Sequence, residues 1–306
     1  MKPPKSPKLP KSPGLIVAPL TPFDPRTLAV DWKALEREMD YICGDCKAAM
    51  VSIAGVETSE YHYLSFAQRR ELITRTVEMI GRRSAVVIGV SHANTRTATE
   101  LVELAHKLGA EAVQVLAPQR PYGGQPGTRE LLDYFGAIAE TSPLPLLLYL
   151  NPGPGAEVSV EATLAITRLD KVRYVKESSR DLARVSRLIV EIDHAGHARY
   201  YTTMQMLLIS LMLGGSGATM PPPACYIAAK IIDAFVAKDY DKAAKLQLQF
   251  ALFPSKFQAK GLAPVMKAAM EIIGRPLGDP FPPFPALTVD EKTALGALLQ
   301  TTCLFE

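Results

Sequence analysis

Eight short apolar runs, separated by amphipathic helical segments, predict an α/β fold whose parallel strands close as a (β/α)8 TIM barrel with a C-terminal α-helical extension. Three observations carry this. The β-like runs recur eight times. The spacers keep a helical period. Beyond the eighth run, 224–252, 255–274 and 288–302 read as helices with no strand between them.

In chain order the runs are L-I-V-A-P-L (15–20), A-M-V-S-I-A (49–54), A-V-V-I-G-V (85–90), A-V-Q-V-L-A (112–117), L-L-L-Y-L (146–150), V-R-Y-V-K (172–176), R-Y-Y-T-T (199–203) and G-A-T-M (217–220). Within 95–109, Leu101, Leu104, Ala105 and Leu108 fall at i, i+3, i+4 and i+7, and Gly109 supplies the stop. Strand and helix alternating in this way build right-handed βα units, and eight of them close into a ring. A doubly wound open sheet is the alternative. The boundaries are a barrel over 14–223 and C-terminal helices packed on it over 224–306, preceded by an arm over 1–13.

That arm reads K-P-P-K-S-P-K-L-P-K-S-P and holds Lys2, Lys5, Lys8 and Lys11 without an acidic residue. It has too little apolar area to order itself, so disorder is expected. Removing those four lysines takes the net charge from +3 to about −1. The body therefore has no positive field for nucleic acid. With 306 residues and 48% hydrophobic content, the chain buries a large core. No apolar stretch reaches the ~18 residues of a membrane span, and Pro19 interrupts the first apolar run, so no membrane partner and a cytoplasmic location are expected. Cys43, Cys46, Cys225 and Cys303 are too scattered for a disulfide framework. C-G-D-C at 43–46 has no second pair at zinc spacing and reads as ordinary residues at the end of a helix. The five histidines do not converge, and no metal site is expected.

The run R-Y-V-K-E-S-S (173–179) places a lysine in a segment that otherwise reads as a buried strand. Val172, Tyr174 and Lys176 alternate onto one side. Burying an ammonium costs several kcal/mol unless it is paired or neutral. Lys176 falls at the C-terminal end of the sixth strand and Tyr149 at the same end of the fifth. Those ends form the mouth of a barrel, where active sites are built. A desolvated amine is a nucleophile toward a carbonyl carbon, and a tyrosine beside it relays protons during imine formation. Spacing alone leaves two other readings open: an amine reaching solvent, or one paired with Glu177, which alternation points the other way.

The motifs, taken together, resemble the dihydrodipicolinate synthase / N-acetylneuraminate lyase family of class I Schiff-base lyases. They are A-P-L-T-P-F (18–23), a Gly…Glu segment (55–60), Y-L-N-P (149–152), V-K-E-S (175–178) and L-G-G-S-G-A (213–218), in consistent order. The resemblance implies that Lys176 forms the imine and Tyr149 relays protons. It further implies a (β/α)8 barrel with a helical C-terminal bundle, a 2-keto acid such as pyruvate as imine partner, a homo-oligomer (dimer or tetramer), and no cofactor.

Three departures bear on substrate choice. Where the family reads Gly-Thr-Thr-Gly-Glu, this chain has G-V-E-T-S-E (55–60). Thr58 and Ser59 remain as candidates for holding the keto-acid carboxylate, and Glu57 adds a repelling charge if it faces the site. Where the family's Pro-Tyr-Tyr sends a tyrosine to a neighbouring subunit's relay, this chain has A-P-Q-R-P-Y-G-G (117–124), with Tyr122 as stand-in and Arg120 as a candidate anion clamp. Synthase members place an arginine five residues after the tyrosine; here that position is Pro154. Thr219, on the eighth run, completes the candidate substrate contacts. The expected function is a class I lyase or aldolase acting on a 2-keto acid. The alternatives are an aldolase, lyase or dehydratase for a sugar-derived or aromatic keto acid, and a non-catalytic barrel that binds a small acid.

Overall fold

A computed structural model describes residues 13–305. The arm expected over 1–13 lies, apart from Pro13, outside the described residues. Eight parallel strands form one closed barrel: β1 (Gly14–Val17), β2 (Met50–Ile53), β3 (Ala85–Gly89), β4 (Ala112–Leu116), β5 (Leu146–Leu150), β6 (Val172–Glu177), β7 (Arg199–Thr202) and β8 (Gly217–Met220). Each pairs with the next, and β8 returns to β1 through Gly14↔Gly217 to Val17↔Met220. The helices between them are α1 (Trp32–Asp40), α2 (Phe66–Ile80), α3 (Thr95–Lys107), α4 (Thr128–Thr141), α5 (Val160–Thr167), α6 (Leu182–Leu188) and α7 (Leu207–Met212). After β8 follow α8 (Ala224–Val236), α9 (Tyr240–Leu252), α10 (Leu262–Ile272) and α11 (Val289–Leu299).

The strands are buried along most of their length because alternate residues serve two cores. Ile16, Met50, Val87, Ala112, Leu147, Tyr149, Tyr174 and Tyr201 fill the barrel interior, while Leu15, Val17, Val51, Ile88, Val113, Leu148 and Val175 pack outward against the helices. The expected eight-strand ring is therefore what forms. Val172 departs from the expected alternation. The register passes from Leu146↔Val172 directly to Leu147↔Tyr174, so Arg173 is an extra residue. This bulge turns Val172 to the outer core and leaves Tyr174 and Lys176 inside.

Two expected helices are divided. The 224–252 segment breaks at 237–239, where Lys238 has φ +62° and the Asp239 side chain accepts from Lys242 N to start a new helix. α8 packs on β1 and β8, following the eighth strand as the earlier helices follow theirs. In 255–274, Gly261 with φ +84° separates a 3₁₀ turn (Ser255–Lys260) from α10. The first run ends at Val17 rather than residue 20, because Leu20 N donates to Glu38 Oε1 at 2.8 Å instead of to a strand. Cys43 sits in a π-helical turn that ends α1, and Cys46 Sγ lies 3.0 Å from Cys225 Sγ in the core. Among the described residues, no helix is long and apolar enough to cross a membrane.

α10 ties the extension to the barrel mouth through a buried charge cluster. Lys267 Nζ lies 2.5 Å from Glu60 Oε2 and donates to Asp279 O at 2.9 Å, while Glu60 Oε1 accepts from Phe281 N at 2.7 Å. Glu38 is close by and 1% exposed, and burial pushes its carboxyl up to about 8, against the Leu20 N hydrogen bond and the Lys267 charge. A carboxyl raised in the folded chain stabilises most fully below its unfolded value near 4.5, and that contribution falls as pH climbs through about 8. Glu38→Gln removes this titration. Between pH 5 and 8, urea unfolding of the wild type should lose stability relative to the variant, by up to about 1.4 kcal/mol per pH unit. Parallel curves for the two proteins would show that Glu38 does not carry the proton.

Candidate active site

Tyr149 on β5 pairs directly with Lys176 on β6. Both side chains point into the barrel near the C-terminal ends of their strands. Lys176 is 4% exposed. Its Nζ donates to Ser178 Oγ and lies 4.2 Å from the centroid of the Tyr149 ring. Burial pushes the amine down to about 8, against the nearby Glu57 and Glu177 carboxylates and with help from Arg180. At that value roughly a tenth of the amine is neutral at pH 7, against well under one per cent for an ordinary lysine. Neither alternative for Lys176 is realised: the amine does not reach solvent, and Glu177 points outward to Arg184 Nε at 2.6 Å and the Tyr200 hydroxyl at 2.9 Å.

The loop after β2 delivers a third polar group. Gln114, fully buried on β4, accepts from Ser52 Oγ at 2.8 Å and donates to Gly55 O at 2.6 Å. Gly89 lets this loop pass, since a Cβ there would stand 2.0 Å from Ala54 O. The chain then turns through Glu57–Ser59. Glu57 Oε2 accepts from the Tyr149 hydroxyl at 2.7 Å and from Asn151 Nδ2 at 3.3 Å. Asn151 Nδ2 also donates to the Tyr149 oxygen at 2.9 Å. Burial first, then the Glu57 charge, hold the Tyr149 hydroxyl well above the ordinary phenol range, so it is a protonated phenol.

A cavity of about 250 Å³ opens over these groups. Glu57, Tyr149, Asn151, Lys176 and Thr219 line its inner end. Ser178, Arg180, Gln205, Ser255 and Gln258 line its outer wall, closed by Leu262 and Val265 of α10. Arg180 Nε donates to Gln205 Oε1 at 3.1 Å, and Gln205 Nε2 donates to Ser255 Oγ at 2.9 Å. Of the expected contacts, Thr219 lines the cavity with its hydroxyl unpartnered among the described residues. Thr58 is buried behind the turn, with an equally unpartnered hydroxyl. The Ser59 hydroxyl is spent on Val56 O at 2.7 Å, inside the turn.

Arg120 and Tyr122 do not enter this cavity. Arg120 pairs with Glu130 and donates to Gly123 O at 3.0 Å, which folds the loop onto α4, and Tyr122 is 93% exposed. Pro154 lines a separate cavity of about 440 Å³ together with His62, Arg69, His92 and Tyr134. Glu57 faces the site, the condition under which it adds a repelling charge, and its carboxylate is engaged there by Tyr149 and Asn151. Asn151 and Ser178 follow Tyr149 and Lys176 by two residues, a strand period that would have placed them on the same face. The part played by Arg180 had no periodic signal, because it lies past the end of β6.

A nucleophilic amine, a phenol and a carboxylate in one polar-capped pocket suit imine chemistry on a carbonyl compound. The model of the dihydrodipicolinate synthetase family matches residues 11–302. A 4-hydroxy-tetrahydrodipicolinate synthase of Desulforudis audaxviator is 30% identical over 79% of this chain and 82% of its own. A second enzyme of that name, from Halalkalibacterium halodurans, is 27% identical over 92% of this chain and 94% of its own. Among solved structures, a putative dihydrodipicolinate synthetase from Pseudomonas aeruginosa superposes with a TM-score of 0.86 at 28% identity, over 94% of this chain and 99% of that one. An N-acetylneuraminate lyase from Mycoplasma synoviae, 22% identical over 94% of this chain and 97% of that one, shares the fold with a TM-score of 0.80. With the match running along nearly its whole length, the chain belongs to the dihydrodipicolinate synthetase family and is a lyase.

Proposed function

We propose that this enzyme is a class I lyase or aldolase in which Lys176 forms an imine with a 2-keto acid such as pyruvate, and the enamine derived from it makes or breaks a carbon–carbon bond. The observation that carries this is the buried amine paired in register with Tyr149. Lys176 attacks the keto carbon. The Tyr149 hydroxyl hands protons to and from the developing carbinolamine. The hydroxyl of Thr219, which lines the cavity and is unpartnered among the described residues, suits the keto-acid carboxylate, which must stay clear of Glu57.

The second reactant meets the outer wall. Pro154 offers no donor there and faces the other cavity, so the arginine that synthase members carry at this position has no equivalent in place. Arg180, held by Gln205, is the cation nearest the outer wall and suits an acid group on the incoming aldehyde. The amides and hydroxyls of Gln205, Ser255 and Gln258 favour a second reading, a sugar-derived keto acid with several hydroxyls. Leu182, Val190, Ile209 and Met212 are exposed on α6, its following turn and α7, which supports assembly as a homo-oligomer, a dimer or tetramer. A cytoplasmic location accords with a chain of this type.

Borohydride added to enzyme with pyruvate should leave one covalent adduct, mapped by peptide mass to Lys176. In Tyr149→Phe the adduct should form ~10²–10⁴-fold more slowly with the fold intact. An adduct on another lysine, or wild-type speed in the phenylalanine variant, would remove this mechanism.

Arg180→Leu should lower kcat/KM for acid-bearing aldehydes by ~10–100-fold, the worth of one exposed charge-assisted contact, and leave neutral hydroxyaldehydes little changed. Equal losses for both groups would show that Arg180 does not select the acid.

A further inference from the structure

We propose that Glu57 is the terminal proton acceptor of a relay contained within one chain, receiving through Tyr149 the proton that leaves C3 of the keto acid bound to Lys176. The inference rests on the imine chemistry proposed above and assigns it a group that imine formation alone does not require.

The geometry carries it. The Tyr149 oxygen accepts from Asn151 at 2.9 Å and commits its proton to Glu57 Oε2 at 2.7 Å, which leaves one lone pair to take a proton. Lys176 Nζ stands 4.2 Å from the centre of the same ring. A neutral phenol cannot keep a second proton, so it takes one only by passing on its own. Glu57 is the only carboxylate among the described residues that line this cavity, and its other oxygen, Oε1, is buried without a partner. Glu57 belongs to the same chain as Tyr149, on a loop fixed by Gln114 and the absence of a Cβ at Gly89.

The step balances in atoms and charge. The C3–H bond of the iminium breaks and its electron pair becomes the C2=C3 bond. The C=N pair returns to nitrogen, and the proton goes to the Tyr149 oxygen as the phenolic proton passes to Glu57 Oε2. A cationic iminium and a carboxylate thus become a neutral enamine and a neutral carboxylic acid. No charge is stranded in the apolar barrel, which is where an uncompensated one would cost most. The reverse step protonates the enamine after a carbon–carbon bond is cleaved.

Pyruvate in D2O without a second reactant isolates this step, because exchange of its methyl protons reads enamine formation while borohydride trapping reads the imine. The wild type should trap and exchange. Glu57→Gln keeps an acceptor for the Tyr149 hydroxyl but takes no proton, so it should still trap the Lys176 adduct while exchange slows by ~10²–10⁴-fold. Glu57→Ala should recover exchange when formate is added, which a purely structural part would not produce. Exchange at the wild-type rate in Glu57→Gln overturns the proposal. If glutamine disturbs the loop so that no adduct forms, Glu57→Ala decides: restoration by formate supports the relay, and none overturns it. No adduct in the wild type removes the imine reading and the relay with it.

Discussion

Everything at the mouth of this barrel depends on one constraint: an amine that carries charge in water has been placed at the end of an inner strand face where water is excluded. Lys176 is 4% exposed on a strand whose inner face it shares with Tyr174. Burial alone would make the ammonium form costly, and the two opposing carboxylates recover part of that cost. The balance leaves an amine poised between its forms near neutral pH. A lysine fully paired with a carboxylate would be a stable cation and a poor nucleophile. Turning Glu177 outward, onto Arg184 and Tyr200, prevents that pairing.

The remaining groups are delivered by elements far apart in the chain. Tyr149 comes from the neighbouring strand by register, and Glu57 comes from a loop whose path needs a glycine on β3 and a glutamine on β4. The same loop is anchored at its far end by Glu60, which meets Lys267 of α10 in a buried ion pair. The C-terminal helices thus do more than cover the barrel: α10 fixes the loop that carries Glu57 and supplies Leu262 and Val265 to the cavity wall. Breaking that pair would leave a buried charge alone, which is the costly outcome for such a contact.

The sequence makes the strands legible because parallel strands buried on both faces must be apolar throughout, and eight such runs stand out between helical spacers. Lys176 and Tyr149 are legible for the converse reason, as polar atoms inside such runs. The bulge at Arg173 is not, since one extra residue leaves an apolar run looking the same, and so Val172 reads on the wrong face. The break at 237–239 is hidden because Lys238 takes a left-handed conformation that no side-chain pattern announces. Loops carry no period to orient their side chains. Arg120 therefore looked available to the site although Glu130 holds it on the rim, and the hydrogen bonds that engage Glu57, from Tyr149 on β5 and Asn151 just after it, had no signal in the loop itself. Pro154, unlike these, reads the same at both levels: it is a residue with no donor.

The central claim is that the Lys176 amine is held near 8 by its burial. Acetic anhydride, an uncharged electrophile, acetylates only neutral amines, so the labelling of Lys176 relative to an internal amine standard, followed by peptide mass from pH 6 to 11, traces its titration directly. A midpoint near 8 is what the buried site predicts. A midpoint at the ordinary lysine value of about 10.4 would contradict it and leave the proposed nucleophile almost wholly protonated at neutral pH.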